Sequence, residues 1–327
     1  MKLCILGGGG CFGLNLARHA LAGGNQVIGI GRSPLKGDAF TLGALEMGYR
    51  YWAYSVGPDT EFIMDLLQAE RPQVIVNFAA QGEGAVSFNP PKNWKYFYRT
   101  NAVSLVELTE SLFNKDWLGR FIQVGTSELY GSVDSPSREG DPLKPTSPYA
   151  ASKAAFDMHV MSIAKVLKFP GLVVRPSNCY TPGQQLHRVI PKAFLCGLTG
   201  KKLKLEGGGK SRKSYLDAED LSKAILLLAA KGEVGEAYNC GPDLPVSIRR
   251  VLELCAQCLG LRFEELVEEA PDRIGQDGCY WLDSSKLKSL GWKPETSLPS
   301  GLSKMHEWVK TYLSDLTNLP TQYRMRA

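Results

Sequence analysis

Tyr149 and Lys153 stand four residues apart in the run Pro148-Tyr-Ala-Ala-Ser-Lys153. Four residues is about one helical turn, so on a helix the phenol and the ammonium share a face. A nearby cation favours the phenolate and pulls tyrosine down from its free pKa of about 10 toward working pH. Such a tyrosine can exchange a proton with a substrate hydroxyl while a nicotinamide takes or returns hydride. The spacing alone arises by chance on many surface helices, and its weight comes from a second pattern. Gly7-x-x-Gly10-x-x-Gly13 follows a short apolar run and precedes a helical one. Glycines there let the backbone turn tightly and approach a pyrophosphate, which rests on the helix N-terminus. Cys11 and Phe12 fill the positions between and complete the expected dinucleotide loop.

These groups need a scaffold, and the chain alternates strand-like and helix-like segments throughout. Apolar runs at 2–6, 26–30, 73–78, 120–125, 171–175 and 237–240 read as buried strands. Amphipathic stretches at 14–22, 61–70, 101–113, 148–168, 189–197, 217–230 and 248–259 read as helices, with another at 300–313. The alternation predicts an α/β fold with a doubly wound parallel sheet. A chain of 327 residues with 44% hydrophobic content suits one large unit or two lobes. The net charge of +5 is mild and its lysines are dispersed, which excludes a nucleic-acid role. No apolar run approaches the ~20 residues needed to cross a bilayer, and the N-terminal run reads as a strand rather than a signal peptide. Eight cysteines without framework spacing imply a reducing compartment, hence a cytoplasmic protein. Cys255 and Cys258 fall inside a helical pattern with no partner ligands at zinc spacing, so no metal is expected.

The second strand ends in Gly31-Arg32-Ser33, where an enzyme that uses NAD would offer a carboxylate to the ribose. Arg32 and Ser33, with Lys36 nearby, would instead neutralise a 2′-phosphate, which predicts NADP. If Arg32 merely stacks on adenine, NAD remains possible. After the 73–78 strand, Ala79 and Ala80 are small enough for a cofactor to pass close by.

The glycine loop, Thr126-Ser127-Glu128 at the end of the 120–125 strand, and Tyr149-x-x-x-Lys153 together resemble the extended short-chain dehydrogenase/reductase family. Within it they are similar to the nucleotide-sugar 4,6-dehydratases, over nearly the whole chain. The resemblance implies a Rossmann domain over 1–175, with 217–240 returning to it. A smaller C-terminal substrate-binding lobe would comprise 176–216 and 241–317, and 318–327 would be a poorly ordered tail. It also implies a homodimer and a nucleotide-diphosphate sugar as substrate.

Roles follow for particular residues. Thr126 would hydrogen-bond the sugar's 4-hydroxyl. Glu128, two residues on and on the same side if the strand continues, would take the C5 proton once C4 has become a ketone. Enzymes acting on dTDP-glucose carry Asp-Glu at this point, whereas Ser127-Glu128 is similar to the GDP-mannose enzymes, as is the Arg32-Ser33 pair. Glu128 would then serve as base and, once protonated, as acid. Gln81 and Ser87 match a stretch that contacts the sugar, while Gly82, Glu83 and Gly84 depart from it. Asn101, at a helix start, would steady the backbone near the site. Asn178, Lys192, Arg212 or Lys213, and Arg273 would grip the diphosphate. The implied activity is C4 oxidation, loss of water across C5 and C6, and return of hydride to C6. A decarboxylase, 5,6-dehydratase, 4-epimerase or reductase would share the fold, as would a non-catalytic NADP-sensing binding protein.

Overall fold

The computed structural model describes residues 1–82, 93–271 and 277–323. Ser87 and Arg273 lie outside the described residues. Among the described residues, seven strands form one parallel sheet: β1 (Lys2–Leu6), β2 (Gln26–Ile30), β3 (Arg50–Trp52), β4 (Val74–Asn77), β5 (Arg120–Val124), β6 (Gly171–Pro176) and β7 (Ala237–Cys240). Their spatial order is β7-β6-β5-β4-β1-β2-β3, with every ladder parallel. The chain winds outward from β1 in both directions, so the crevice beyond the carboxyl ends of β1 and β4 is where such sheets bind ligands.

Strand periodicity of two feeds both faces of the sheet. Leu3 and Ile5 of β1 join Leu14 and Leu16 of the helix Cys11–Ala22, together with Leu221, Ile225 and Leu228 of the helix Ala218–Lys231. Cys4 and Leu6 point the other way, into a core shared with Ile63 and Leu67, Leu105 and Leu108, and Phe156 and Val160. Those pairs come from the helices Thr60–Glu70, Ser104–Leu112 and Pro148–Leu167. Having both faces covered is why these strands read as continuous apolar runs rather than alternating ones.

A separate core lies outside the sheet. Tyr180, Ile190, Phe194, Leu203, Leu252, Cys255, Met305 and Trp308 are among its buried members, most of them from the helices Val189–Leu198, Ile248–Leu259 and Leu298–Thr311. Two short parallel strands, Asn178–Tyr180 and Tyr215–Asp217, lead from β6 toward it.

One local expectation needs correction. Asn101 does not open an α-helix: it lies within a π-helical turn, Arg99–Val103, which runs into the helix Ser104–Leu112. In the segment after Asn318, Tyr323 hydrogen-bonds to Gln81 and to the Gly82 carbonyl, just past the carboxyl end of β4.

Candidate active site

The helix Pro148–Leu167 is well specified at its start. Ser147 is the N-cap, its side chain accepting from the Ala150 N–H at 3.1 Å, and Pro148 occupies the first turn. This puts Tyr149 in the first turn, half-buried, and Lys153 one turn further, 2% exposed. Lys153 Nζ donates to the Val124 carbonyl at the end of β5, at 2.6 Å. Burial pushes the ammonium down to about 8, and the Asp157 carboxylate one turn on opposes that fall. The cation is therefore pinned to the end of the strand that leads into Thr126.

The strand stops at Val124, so Glu128 does not reach its place by strand periodicity. Ser127–Tyr130 instead form a 3₁₀ turn capped by Thr126, whose Oγ1 accepts from the Glu128 N–H at 3.2 Å. The cap ties Thr126 and Glu128 together more tightly than an extended strand would. Thr126 is 8% exposed and, among the described residues, its hydroxyl proton has no acceptor. Ser127 is buried and Glu128 half-buried. The turn packs against the Tyr149 helix. Thr126, Ser127, Glu128, Tyr149 and Lys153 thus gather at the carboxyl end of β5.

A chain of buried polar groups lies beneath them. Asn77 Nδ2 donates to Gln123 Oε1 at 2.7 Å, and Gln123 Nε2 donates to the Val124 carbonyl and to Asp157. Arg175 Nε lies 3.3 Å from Asp157 Oδ2, with both side chains almost wholly buried. Its Nη1 donates to Tyr130 Oη at 2.8 Å, and that hydroxyl donates to Asn239. Burial pushes the Asp157 carboxyl up, while Arg175 and Lys153 pull it back. Gly125 makes room for that carboxylate, because a Cβ there would lie 2.5 Å from Asp157 Oδ2. Two signals in the sequence pointed here. Asp157 continues the four-residue spacing of Tyr149 and Lys153, and Arg175 is a charge inside an otherwise apolar strand.

Across the crevice, the glycine turn leaves no space for side chains. Gly7 has φ of 77°, and a Cβ there would lie 2.8 Å from the Ala79 nitrogen. A Cβ on Gly13 would lie 2.7 Å from the Gly7 carbonyl oxygen. Gly10 N–H bonds the Gly7 carbonyl at 3.0 Å, closing the turn onto the helix. Backbone at a helix N-terminus is thus the surface on offer, which fits a dinucleotide's pyrophosphate. Burial pushes the Cys11 thiol up to about 11, whereas Phe12 is only half-buried. Ala79 and Ala80 are half-buried beside the turn.

Two tyrosines of β3 and the residue before it, which the sequence reading passed over, support this loop. Tyr49 Oη donates to the Gly8 carbonyl at 2.9 Å, and Tyr51 Oη to the Ser33 carbonyl at 2.6 Å. Arg32 is exposed and Ser33 half-buried.

Past the end of β4, Gln81 is 4% exposed and held by Asn101, whose Oδ1 accepts from the Gln81 N–H at 2.7 Å. Asn101 Nδ2 donates to the Gln81 carbonyl and to Ser152 Oγ, which itself donates to the Tyr149 carbonyl. Asn101 therefore links the strand end to the Tyr149 helix. Asn178 pairs in a short strand, and its buried side-chain Oδ1 has no hydrogen-bond partner among the described residues. Arg212 and Lys213 are adjacent in another short strand, the first exposed and the second half-buried. The Lys213 ammonium stands 3.5 Å from the Tyr280 ring centroid, and Tyr280 and Thr146 both donate to the Asp277 carboxylate. Lys192 lies half-exposed on the helix Val189–Leu198. Arg188, just before that helix, is the cation the sequence reading missed. Its guanidinium approaches Gly82, and its charge acts on Cys11, so it stands between the glycine loop and the Gln81 strand end.

A parallel sheet wound in this order, with a glycine turn after its first strand and a Tyr–Lys helix beside a Thr-x-Glu turn, defines a nucleotide-dependent α/β protein. The chain belongs to the NAD dependent epimerase/dehydratase family, which matches residues 3–241. It is 31% identical over 318 residues to the low-salt glycan biosynthesis protein Agl12 of Haloferax volcanii, covering 96% of this chain and 99% of that one. It is also 31% identical over 329 residues to the dTDP-glucose 4,6-dehydratase of Xanthomonas campestris, covering 94% and 92%. A crystal structure of a dTDP-glucose 4,6-dehydratase from Streptomyces venezuelae with NAD bound matches with a TM-score of 0.87 at 29% identity, covering 96% of this chain and 98% of that one.

Proposed function

We propose that this protein is a nucleotide-sugar 4,6-dehydratase, converting an NDP-hexose into a 4-keto-6-deoxy sugar nucleotide. The observation that carries the reading is the capped turn that binds Thr126 to Glu128, packed beside the helix that holds Tyr149 and Lys153. A reductase or a simple 4-epimerase needs the tyrosine and the lysine but no carboxylate. An elimination needs all of them.

In this reading Thr126 donates its hydroxyl proton to the sugar's O4, and Tyr149 takes the proton of the 4-hydroxyl. Lys153, held against the Val124 carbonyl, keeps a positive charge by the phenol at neutral pH. Oxidation at C4 makes the C5 hydrogen acidic, and Glu128 removes it. The protonated Glu128 then delivers that proton to the C6 hydroxyl as water leaves, since the Ser127 hydroxyl is too weak an acid for that role. When hydride returns to C6, C5 takes up a proton from solvent, and Tyr149 releases to solvent the proton it took from the 4-hydroxyl. A nicotinamide dinucleotide, when bound, supplies the hydride acceptor and donor, so no net redox change results and the enzyme is a lyase. Gly7, Gly10, Cys11, Phe12, Gly13, Ala79 and Ala80 would hold it, with Arg32 and Ser33 favouring NADP over the NAD carried by the Streptomyces relative. Asn178, Arg188, Lys192, Arg212 or Lys213, and Arg273 would receive the nucleotide diphosphate.

A homodimer in the cytoplasm completes the proposal. Exposed Val103, Met158, Val166 and Leu167 lie on or beside the helices Ser104–Leu112 and Pro148–Leu167, which supports pairing through those faces. The eight cysteines are unpaired thiols, as a reducing compartment would keep them. Among the described residues no helix is long and apolar enough to cross a membrane. Incubation with a panel of NDP-hexoses, followed by mass spectrometry, tests the activity. Loss of water supports it; loss of carbon dioxide, or no change in mass with any sugar, refutes it.

A further inference from the structure

Tyr323 lies beyond the last described helix, Leu313–Thr317, and 242 residues from Gln81 in the chain. Its phenol nevertheless sits at the mouth of the cleft. Gln81 Nε2 donates to Tyr323 Oη, and the Tyr323 hydroxyl donates to the Gly82 carbonyl at 2.9 Å. The ring meets His187 edge to face, with centroids 5.3 Å apart. His187 directly precedes Arg188, whose guanidinium also approaches Gly82. One half-buried tyrosine thus connects the end of β4 to the entrance of the helix Val189–Leu198, the two elements that flank the crevice.

The contact runs inward as well. The Gln81 backbone is held by Asn101, Asn101 donates to Ser152, and Ser152 donates to the Tyr149 carbonyl. The backbone of Gln81 is therefore fixed from the catalytic side. Its side-chain amide is a freely rotating group unless something orients it. A primary amide has two N–H donors and one carbonyl acceptor. Committing one N–H to Tyr323 points the remaining N–H and the carbonyl in a set direction.

We propose that Tyr323 is a positioning residue for the sugar: it orients the Gln81 amide toward the hexose and closes the cleft on that side. This rests on the reading of the cleft as a nucleotide-sugar site. Tyr323→Phe keeps the ring against His187 and removes both hydrogen bonds, so it isolates the positioning role from bulk.

The test compares binding by calorimetry to the full-length, cofactor-loaded protein. The probes are GDP-mannose, dTDP-glucose and UDP-glucose, set against GDP, dTDP and UDP. With the sugar nucleotide that binds wild-type protein best, Tyr323→Phe should weaken binding roughly five- to ten-fold, the scale of one or two neutral hydrogen bonds. Affinity for the matching bare diphosphate and the melting temperature should not change. Equal weakening of both ligands, or no weakening of either, overturns the proposal. Tighter sugar-nucleotide binding also overturns it, by making Tyr323 a plug that substrate must displace. Wild-type protein that binds none of the three sugar nucleotides overturns both this proposal and the dehydratase reading. Binding without loss of water from the hexose overturns the dehydratase reading alone.

Discussion

Asp157→Asn perturbs the network under the active site at its most connected point. Asp157 Oδ2 lies 3.3 Å from Arg175 Nε, with side-chain exposures of 0% and 2%. Removing the negative charge leaves the guanidinium buried without a counter-ion, and breaking a buried pair in this way costs about 3–5 kcal/mol. Total stability is of the order of 5–15 kcal/mol, so the variant should fold but lose a large share of its urea resistance. The same change reaches Lys153, whose ammonium is down from 10.5 to about 8 through burial, with Asp157 acting against that fall. A buried lysine of this kind holds its proton less readily than the unfolded chain does. Stability from this group therefore rises with pH between about 8 and 10.5 and carries a constant penalty below about 8. Asp157→Asn moves the lower edge of that window to lower pH. In a pH–activity profile the alkaline limb, set by loss of the Lys153 charge, should shift downward in the same direction. A stability loss under about 1 kcal/mol, or a limb that stays put, would refute the reasoning.

Cofactor released from purified protein by mild denaturation should be mainly NADP. One charge-assisted contact to a 2′-phosphate gives a preference on the order of ten-fold or more, and finding chiefly NAD would remove the role given to Arg32 and Ser33. Gly13→Ala would place a Cβ 2.7 Å from the Gly7 oxygen and 2.9 Å from the Gly8 Cα. Both are backbone atoms, so the loop must shift, at a cost of about 1–3 kcal/mol. Cofactor content should drop while circular dichroism stays native, and a variant that purifies with full cofactor would argue against the loop as the binding site.

Much of the fold was legible because its signals are local. The strands 26–30 and 237–240 and the helix 248–259 are observed with the bounds that their apolar patterns set. Tyr149 and Lys153 share a helix for the same reason. What stayed hidden depends on tertiary context. The sequence offered a continuing strand for Glu128, but Thr126 can cap, and its hydroxyl ends the strand in a 3₁₀ turn. Asn101 looked like a helix opener, yet its side chain is spent on Gln81 and Ser152 inside a π-helical turn. Arg188 and Tyr323 gave no pattern at all, since their roles come from elements far apart in the chain meeting at Gly82. The sequence leaves Arg212 and Lys213 equal candidates for the diphosphate, and the Lys213 ammonium faces the Tyr280 ring.

The division of labour between Glu128 and Tyr149 tests the dehydratase reading most directly. Glu128→Gln keeps the shape of the side chain but cannot accept the C5 proton, whereas Tyr149→Phe cannot take the proton of the 4-hydroxyl. With a turned-over NDP-hexose, each should lower the rate by about 10²–10⁴-fold. The account predicts that Glu128→Gln accumulates reduced cofactor, seen by its absorbance, with little 6-deoxy product, and that Tyr149→Phe leaves the cofactor oxidised. Normal turnover by Glu128→Gln, or no loss of water from the hexose with the wild-type protein, would contradict it.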